Sequence, residues 1–325
     1  MSRNLTMLQA INEAMRELMA DDDRVFVIGE DVGRHGGSFQ ATAGLVDLFG
    51  KRRVIDAPIS EAGFTGLAVG AAMTGLRPIV DLMFADFMTL AMDQLVNQAA
   101  KYRYMTGGQA QVPLVVRAAQ GAGQSSAAQH SQAVHAFIAN VPGLKVVMPS
   151  NPADAKGLLV AAVRDPNPVV VLEPKMAYGQ KGHVPEGLYE VPLGVGTIVR
   201  PGRHVTVVAT SVLVSVAAKA AQVLAAEGIE VELIDPRTLV PLDKQLIVDS
   251  VSRTGHAVVL DEGPRSFGAS AEIAATIAEG AFDFLEAPVR RITAPDVPVP
   301  FNPRLERATI PDVDTVVATV RSLLS

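Results

Sequence analysis

The segment Arg53-Val54-Ile55-Asp56-Ala57-Pro58-Ile59-Ser60-Glu61-Ala62-Gly63-Phe64 sets one carboxylate, Glu61, between a strand-like apolar run and an almost wholly apolar helical stretch. Two readings fit that placement. A carboxylate in the first turn of a helix is stabilised by the positive end of the helix dipole. A carboxylate drawn out of water binds its proton more tightly, and is then suited to hydrogen-bond a heterocycle nitrogen. Residue type and position allow both.

Other chemistries are excluded by what the chain lacks. The glycine turn Gly121-Ala122-Gly123-Gln124-Ser125-Ser126 follows the apolar run Leu114-Val115-Val116, yet it misses the third small residue and the helix start of a dinucleotide site. There is no P-loop and no Gly-x-Ser-x-Gly elbow for a serine hydrolase. His130 and His135 are five residues apart and so leave a single helical face, which argues against a shared metal ion. With no cysteine, disulfides, thiolate catalysis and cysteine-based metal centres are ruled out together. A formal net charge of -6, with Lys and Arg scattered, offers no surface for nucleic acid or an anionic membrane.

The elements that must position Glu61 follow from the apolar periodicity. Met7, Ile11, Ala14, Met15 and Leu18 recur at helical spacing behind a Thr6/Gln9 capping-box pair, so a helix opens the chain. Val25-Phe26-Val27-Ile28 reads as a buried parallel strand. Strand-like runs then alternate with helical ones: Val80 to Phe84, a long helix Asp86 to Tyr104, Leu114 to Val116, a helix His130 to Ile138, Lys145 to Met148, a helix Pro152 to Arg164 and a strand Val169 to Leu172. That alternation predicts an α/β fold with a doubly wound parallel sheet. The Gly- and Pro-rich stretch Gly179 to Gly196 marks a crossing, placed near residue 187. Beyond it a second, smaller parallel sheet is expected, closed by a helix with Val313, Val316, Val317, Val320 and Leu323 on one face. The apolar stretch Ala62 to Gly75 is about 14 residues, short of the ~20 that span a bilayer. Met1 to Arg24 is acidic and amphipathic without a signal core, so a cytoplasmic protein is expected.

With these elements in place, Asp56-Ala57-Pro58-Ile59-Ser60-Glu61-Ala62-Gly63-Phe64 closely resembles the motif of the beta subunits of pyruvate, branched-chain 2-oxo acid and acetoin dehydrogenases. Gly29-Glu30-Asp31-Val32-Gly33, Gly75-Leu76-Arg77-Pro78, Asp93 to Lys101, Ala127-Ala128-Gln129-His130-Ser131-Gln132, Pro142 to Val147, Asp154 to Leu159, Asp235 to Leu239 and Pro241-Leu242-Asp243 resemble that family in the same order. The resemblance covers essentially the whole chain. It implies two doubly wound domains: a thiamine diphosphate pyrimidine-binding domain over 1–187, and a transketolase C-terminal-like domain over 188–325.

The resemblance also implies roles. Glu61 matches the glutamate that contacts the aminopyrimidine of thiamine diphosphate and favours its imino tautomer. Phe87 matches an aromatic packed on that ring, and Glu30 a second carboxylate near the cofactor. His130 matches a histidine near the thiazolium that assists proton transfer and passage of the acyl group to lipoamide. Leu114, Ala162, Asp165 and Asn167 match the surroundings of a structural potassium ion, against which stands an ordinary Asp-Pro-Asn turn. The Gly-Asp-Gly…Asn pattern that holds magnesium and the diphosphate in the family is absent here. The resemblance therefore implies an alpha chain that supplies it, an alpha2-beta2 heterotetramer, and docking to a dihydrolipoyl acyltransferase core. Many members have Glu at the position of His135 and His at that of Asn140, which leaves substrate open, while Lys101 to Ala110 and Gly121 to Gln132 lean toward acetoin or pyruvate members. Two alternatives stand beside this one: a single-chain ketol transferase related to transketolase or deoxyxylulose phosphate synthase, and a non-catalytic scaffold of the same fold. The missing diphosphate pattern disfavours the first, and the presence of Glu61 and His130 disfavours the second.

Overall fold

The computed structural model describes residues 3–325. They divide into two compact units, one of the residues up to Gln120 with Phe137–Leu193, the other of Gly121–Ala136 with Gly194–Ser325. The division in the linker thus falls at Leu193/Gly194 rather than near 187. The stretch Gly121–Ala136, read from sequence as part of the first domain, packs with the second unit.

In the first unit the strands run, across the sheet, Lys145–Val147, Val169–Pro174, Val115–Gln120, Arg77–Phe84, Val25–Gly29, Val54–Asp56, every pair parallel. Strands covered by helices on both faces are apolar throughout, and Val25–Gly29, Val115–Gln120 and Val169–Pro174 are buried at every position. The opening helix Met7–Asp21 starts with the expected capping box: Gln9 N–H donates to Thr6 Oγ1 at 3.1 Å and Thr6 N–H donates to Gln9 Oε1 at 2.9 Å. Helix Pro152–Arg164 is capped by Asn151, whose side-chain oxygen accepts from Asp154 N–H at 2.9 Å. Part of the expected linker is anchored, since Lys181–His183 pairs antiparallel with Asn4–Thr6.

Two helical expectations change. The run from Asp86 to Tyr104 is a 3-10 segment Ala85–Ala91, a π segment Gln94–Ala99 and an α-helix Ala100–Met105. The expected helix His130 to Ile138 shrinks to His135–Ala139. Residues 121–134 are irregular, and Gly121, Gly123, Ser125 and Ala127, ahead of the expected helix, carry positive φ, which no right-handed helix tolerates.

The second unit has strand order Arg290–Ala294, Ala257–Pro264, Val205–Ala209, Val231–Asp235, Thr197–Arg200. The sheet is parallel except for the edge strand Thr197–Arg200, which runs antiparallel and amends the expectation of a wholly parallel sheet. Successive side chains leave opposite faces of a strand. Val205, Val207 and Ala209 accordingly join helices Leu213–Ala225 and Val313–Leu324 in one core, while Val208 joins Ile247, Val251, Ile273 and Ile277 in the other. The last helix docks through Val316, Val317, Val320 and Leu323, with Val313 partly buried beside them, as its periodicity predicts.

Candidate active site

The first strand of the parallel sheet, Val25–Gly29, leads to Val54–Asp56 on one side, and Arg77–Phe84, on its other side, leads to Val115–Gln120 in the opposite direction. Connections diverge between Val25–Gly29 and Arg77–Phe84, and ligands of open parallel sheets bind at the carboxyl ends of strands beside such a switch point. Glu30 directly follows the first of these strands, and Phe87 lies in the 3-10 segment after the second. Glu61 starts helix Glu61–Met73 beyond the neighbouring strand Val54–Asp56, a helix that packs on Arg77–Phe84 and on the 3-10 segment. Sheet topology thus collects Glu30, Glu61 and Phe87 at one edge of the first unit.

The environment of the two carboxylates is decisive. Glu61 is 8% exposed and Glu30 6% exposed. Glu30 Oε1 makes no hydrogen bond among the described residues. Burial first, and then the negative charges of Glu61 and Asp31, push the Glu30 carboxyl above its ordinary range. A buried acceptor normally has a partner, so an unpaired one is a stored demand for a donor. Phe87 is half-buried and stands edge-on to Phe84, with ring centroids 6.1 Å apart at 87°.

The backbone fixes this edge at close quarters. A side chain on Gly29 would come within 2.5 Å of the Asp81 carbonyl, so only glycine lets the two strands end side by side. Gly33 N–H donates to Asp56 Oδ1 at 2.6 Å, tying the loop after Glu30 to the strand before Glu61. Below lies a buried ionic cluster: Arg117 pairs with Asp81 and, bidentately, with Glu173 at 2.8 and 2.5 Å, and Tyr178 donates to Glu173 at 2.8 Å. Burial alone would lower the proton affinity of Arg117, but the two carboxylates overcome it and hold the guanidinium charged.

His130 lies in the second unit, half-buried on the irregular segment Gly121–Ala136. His135, singled out by its sequence only as a departure, is fully buried five residues later and meets Asp261 at 3.1 Å. Its imidazole, which burial would push down, is pushed up by Asp261 and Glu262, while Asp261 is held below the ordinary carboxylate range because His135, Thr210 and the Gly263 N–H outweigh its burial.

Of the expected potassium ligands, Asp165, Asn167 and the Leu114 carbonyl are otherwise engaged. Asp165 binds the Lys145 ammonium and accepts from Asn167 at 2.8 Å, Asn167 Oδ1 accepts from Arg103 at 2.6 Å, and the Leu114 carbonyl accepts from Val169 N–H at 2.9 Å. Two protein cations already supply the positive charge, and this arrangement does not fit a potassium ion.

Sequence reasoning missed Asp261, Glu306 and the Arg117 cluster. Asp261 ends an apolar run, Ala257 to Leu260, a position that could have been flagged as the carboxyl end of a buried strand. Glu306, fully hidden in a short polar helix, gave no such signal.

Comparison with known proteins agrees with the topology. The transketolase pyrimidine-binding domain matches residues 3–181 and the transketolase C-terminal domain residues 194–316. The chain is 48% identical to the acetoin:2,6-dichlorophenolindophenol oxidoreductase subunit beta of Bacillus subtilis (strain 168), over 100% of this chain and 98% of that one. It is 46% identical to the pyruvate dehydrogenase E1 component subunit beta of Rickettsia felis (strain ATCC VR-1525 / URRWXCal2), over 98% of each chain. The chain belongs to this family of dehydrogenase beta subunits. A third member, the 2-oxoisovalerate dehydrogenase subunit beta of Bacillus subtilis (strain 168), is 45% identical over 98% of each chain, so overall identity does not sort members by substrate. A solved split-gene transketolase, an inactive beta4 tetramer, shares the fold with a TM-score of 0.79 at 23% identity, over 98% of each chain.

Proposed function

We propose that this chain is the beta subunit of a thiamine-diphosphate-dependent dehydrogenase that cleaves acetoin or decarboxylates a 2-oxo acid such as pyruvate and passes the acyl group to lipoamide. The observation that carries the reading is the pair of buried carboxylates at the switch point, one with an oxygen that no donor satisfies. An amino-substituted heteroaromatic ring fits that pair, because its N–H groups answer carboxylate oxygens and its face suits the half-buried Phe87. When bound, thiamine diphosphate supplies the electron sink for cleavage of the bond beside the substrate carbonyl.

The protein's part is proton handling and orientation. Glu61 holds or releases the proton at the ring nitrogen, a task suited to a carboxyl shielded from water. Glu30, whose proton affinity is raised by burial and by the charges of Glu61 and Asp31, offers its oxygens to the ring's N–H groups. Phe87 fixes the ring plane. His130 is assigned proton transfer to and from the reacting carbon.

The charged end of the cofactor and its magnesium ion need donors that this sequence does not carry, since the Gly-Asp-Gly…Asn pattern is missing. An alpha subunit fills that need in our reading, in an alpha2-beta2 assembly that serves a dihydrolipoyl acyltransferase core in the cytoplasm. Among the described residues no helix is long and apolar enough to cross a membrane. The names of the full-length relatives, each a subunit beta, favour this reading over a single-chain ketol transferase. Calorimetry of thiamine diphosphate with magnesium tests it: binding is expected only after the chain is co-purified with its alpha partner. Tight binding by the isolated chain would give the lead to the single-chain alternative. Glu61→Gln is expected to abolish turnover with the assembly intact; an active Glu61→Gln enzyme would sink the proton-handling role.

A further inference from the structure

The segment from Gly121 to Gln132 is a closed loop on the second unit. Its ends meet through Gly121 N–H donating to the Gln132 carbonyl at 3.2 Å, the mark of a compact Ω-loop. His130 sits near the end of that loop. Inside it the backbone is held in conformations that side chains resist, with Ser125 at φ 52° and Ala127 at φ 60° in addition to two glycines. Such outliers persist only where surrounding contacts over-determine them.

Those contacts come from carboxylates of the second unit. Glu306, 2% exposed, accepts from Gly123 N–H at 2.7 Å on one oxygen, and from Ser125 N–H at 2.8 Å and the Ser125 hydroxyl at 3.2 Å on the other. At the far end Asp261, fully buried, takes His135 Nε2 at 3.1 Å and the Thr210 hydroxyl at 2.8 Å. Glu262 lies against Gly121, where any side chain would come within 2.4 Å of its carboxylate. The loop is therefore pinned before His130 by Glu306 and after it by Asp261.

We infer that Glu306 and Asp261 are positioning residues for His130, fixing the Gly121–Gln132 loop in the one conformation that presents the imidazole for reaction. The inference rests on the assignment of His130 proposed above. A side chain that only stabilises the fold would not act through His130. Catalysis, by contrast, is sensitive to displacements of about an ångström in a group that moves a proton.

The test is a double-mutant cycle in the alpha-beta holoenzyme loaded with thiamine diphosphate and magnesium, following reduction of 2,6-dichlorophenolindophenol with acetoin or pyruvate. Glu306→Ala is expected to lower kcat at least tenfold with little change in KM. His130→Ala/Glu306→Ala should lie within about twofold of His130→Ala alone, since a loop already without its imidazole has nothing further to misplace. Glu306→Gln, which keeps an acceptor oxygen, should fall between wild type and Glu306→Ala. Amide hydrogen exchange over residues 121–132 should rise in Glu306→Ala. Wild-type kcat in Glu306→Ala, or losses that multiply in the double variant, would overturn the inference. Wild-type turnover by His130→Ala would mean instead that the assignment of His130 has failed, and the inference would fall with it. Unchanged exchange in Glu306→Ala would overturn the clamp alone. Should Glu306→Ala not assemble, Asp261→Asn at the other end of the loop goes through the same cycle.

Discussion

In our reading Glu30 serves a ligand rather than stability, and Glu30→Gln separates the two. A buried polar group without a partner costs about 1–3 kcal/mol, more when it is charged. Glu30 Oε1 is such a group, and the neighbouring charges of Glu61 and Asp31 raise the cost of ionising it. Glutamine preserves the shape and removes the charge, so the free chain should gain about 1–2 kcal/mol at neutral pH, part of the penalty remaining on the amide. For a unit of this size that is a rise in Tm of roughly 3–6 °C. The pH dependence has a definite sign. Because the folded-state proton affinity is raised, the folded chain keeps a proton that the unfolded chain releases, and stability falls as pH rises through the window between the ordinary carboxylate value and the raised one. Below that window Glu30 is protonated in both states, so the advantage of the variant should shrink toward zero as pH falls to about 4 and below. The assay is thermal unfolding of the isolated chain, wild type and variant, at neutral pH and at about pH 4. In the loaded complex the same variant should lose turnover. A Glu30→Gln chain less stable than wild type at neutral pH would refute the reasoning, since it would mean that the carboxylate is paired after all.

Three further substitutions follow from the same geometry. Arg117→Met leaves Asp81 and Glu173 buried without their cation and should destabilise the first unit by about 3–5 kcal/mol in denaturant titration. Gly143→Ala places a methyl 2.1 Å from the Ala100 carbonyl at φ +105°, so a loss of about 2–5 kcal/mol is expected by the same titration. The His135–Asp261 pair should make the second unit most stable between two limits. The contribution of His135, whose affinity is raised, is lost as pH rises through its folded value, and that of Asp261, whose affinity is lowered, is lost as pH falls through its own. Asp261→Asn should flatten that profile, and an unchanged Tm–pH curve would count against the pair.

The fold was legible because burial in a parallel sheet leaves a strong trace. Continuous apolar runs such as Val25 to Ile28, and alternations such as Val205/Val207/Ala209 against Val208, announce strands whatever their neighbours are. The helix starts at Thr6 and Asn151 were legible for the same local reason, each cap lying within three residues of the group it satisfies. Glu61 was legible as an anomaly, a charge at the head of an apolar helix, and Glu30 and Phe87 only through resemblance. What local pattern does not carry is long-range. The loop before His130 is held at Gly123 and Ser125 by Glu306, some 180 residues away, a partner that no local pattern announces. His135 stood out only as a departure from the family until Asp261, on a strand 126 residues later, gave it a partner. The turn at Asp165 and Asn167 has the oxygens expected of a potassium site, but Lys145 and Arg103 arrive from other elements and bind them. Sequence thus exposes a chemical group wherever it breaks a local pattern. The groups that hold it in place stay hidden, because each is ordinary in its own neighbourhood and acquires its role only when the chain closes on itself.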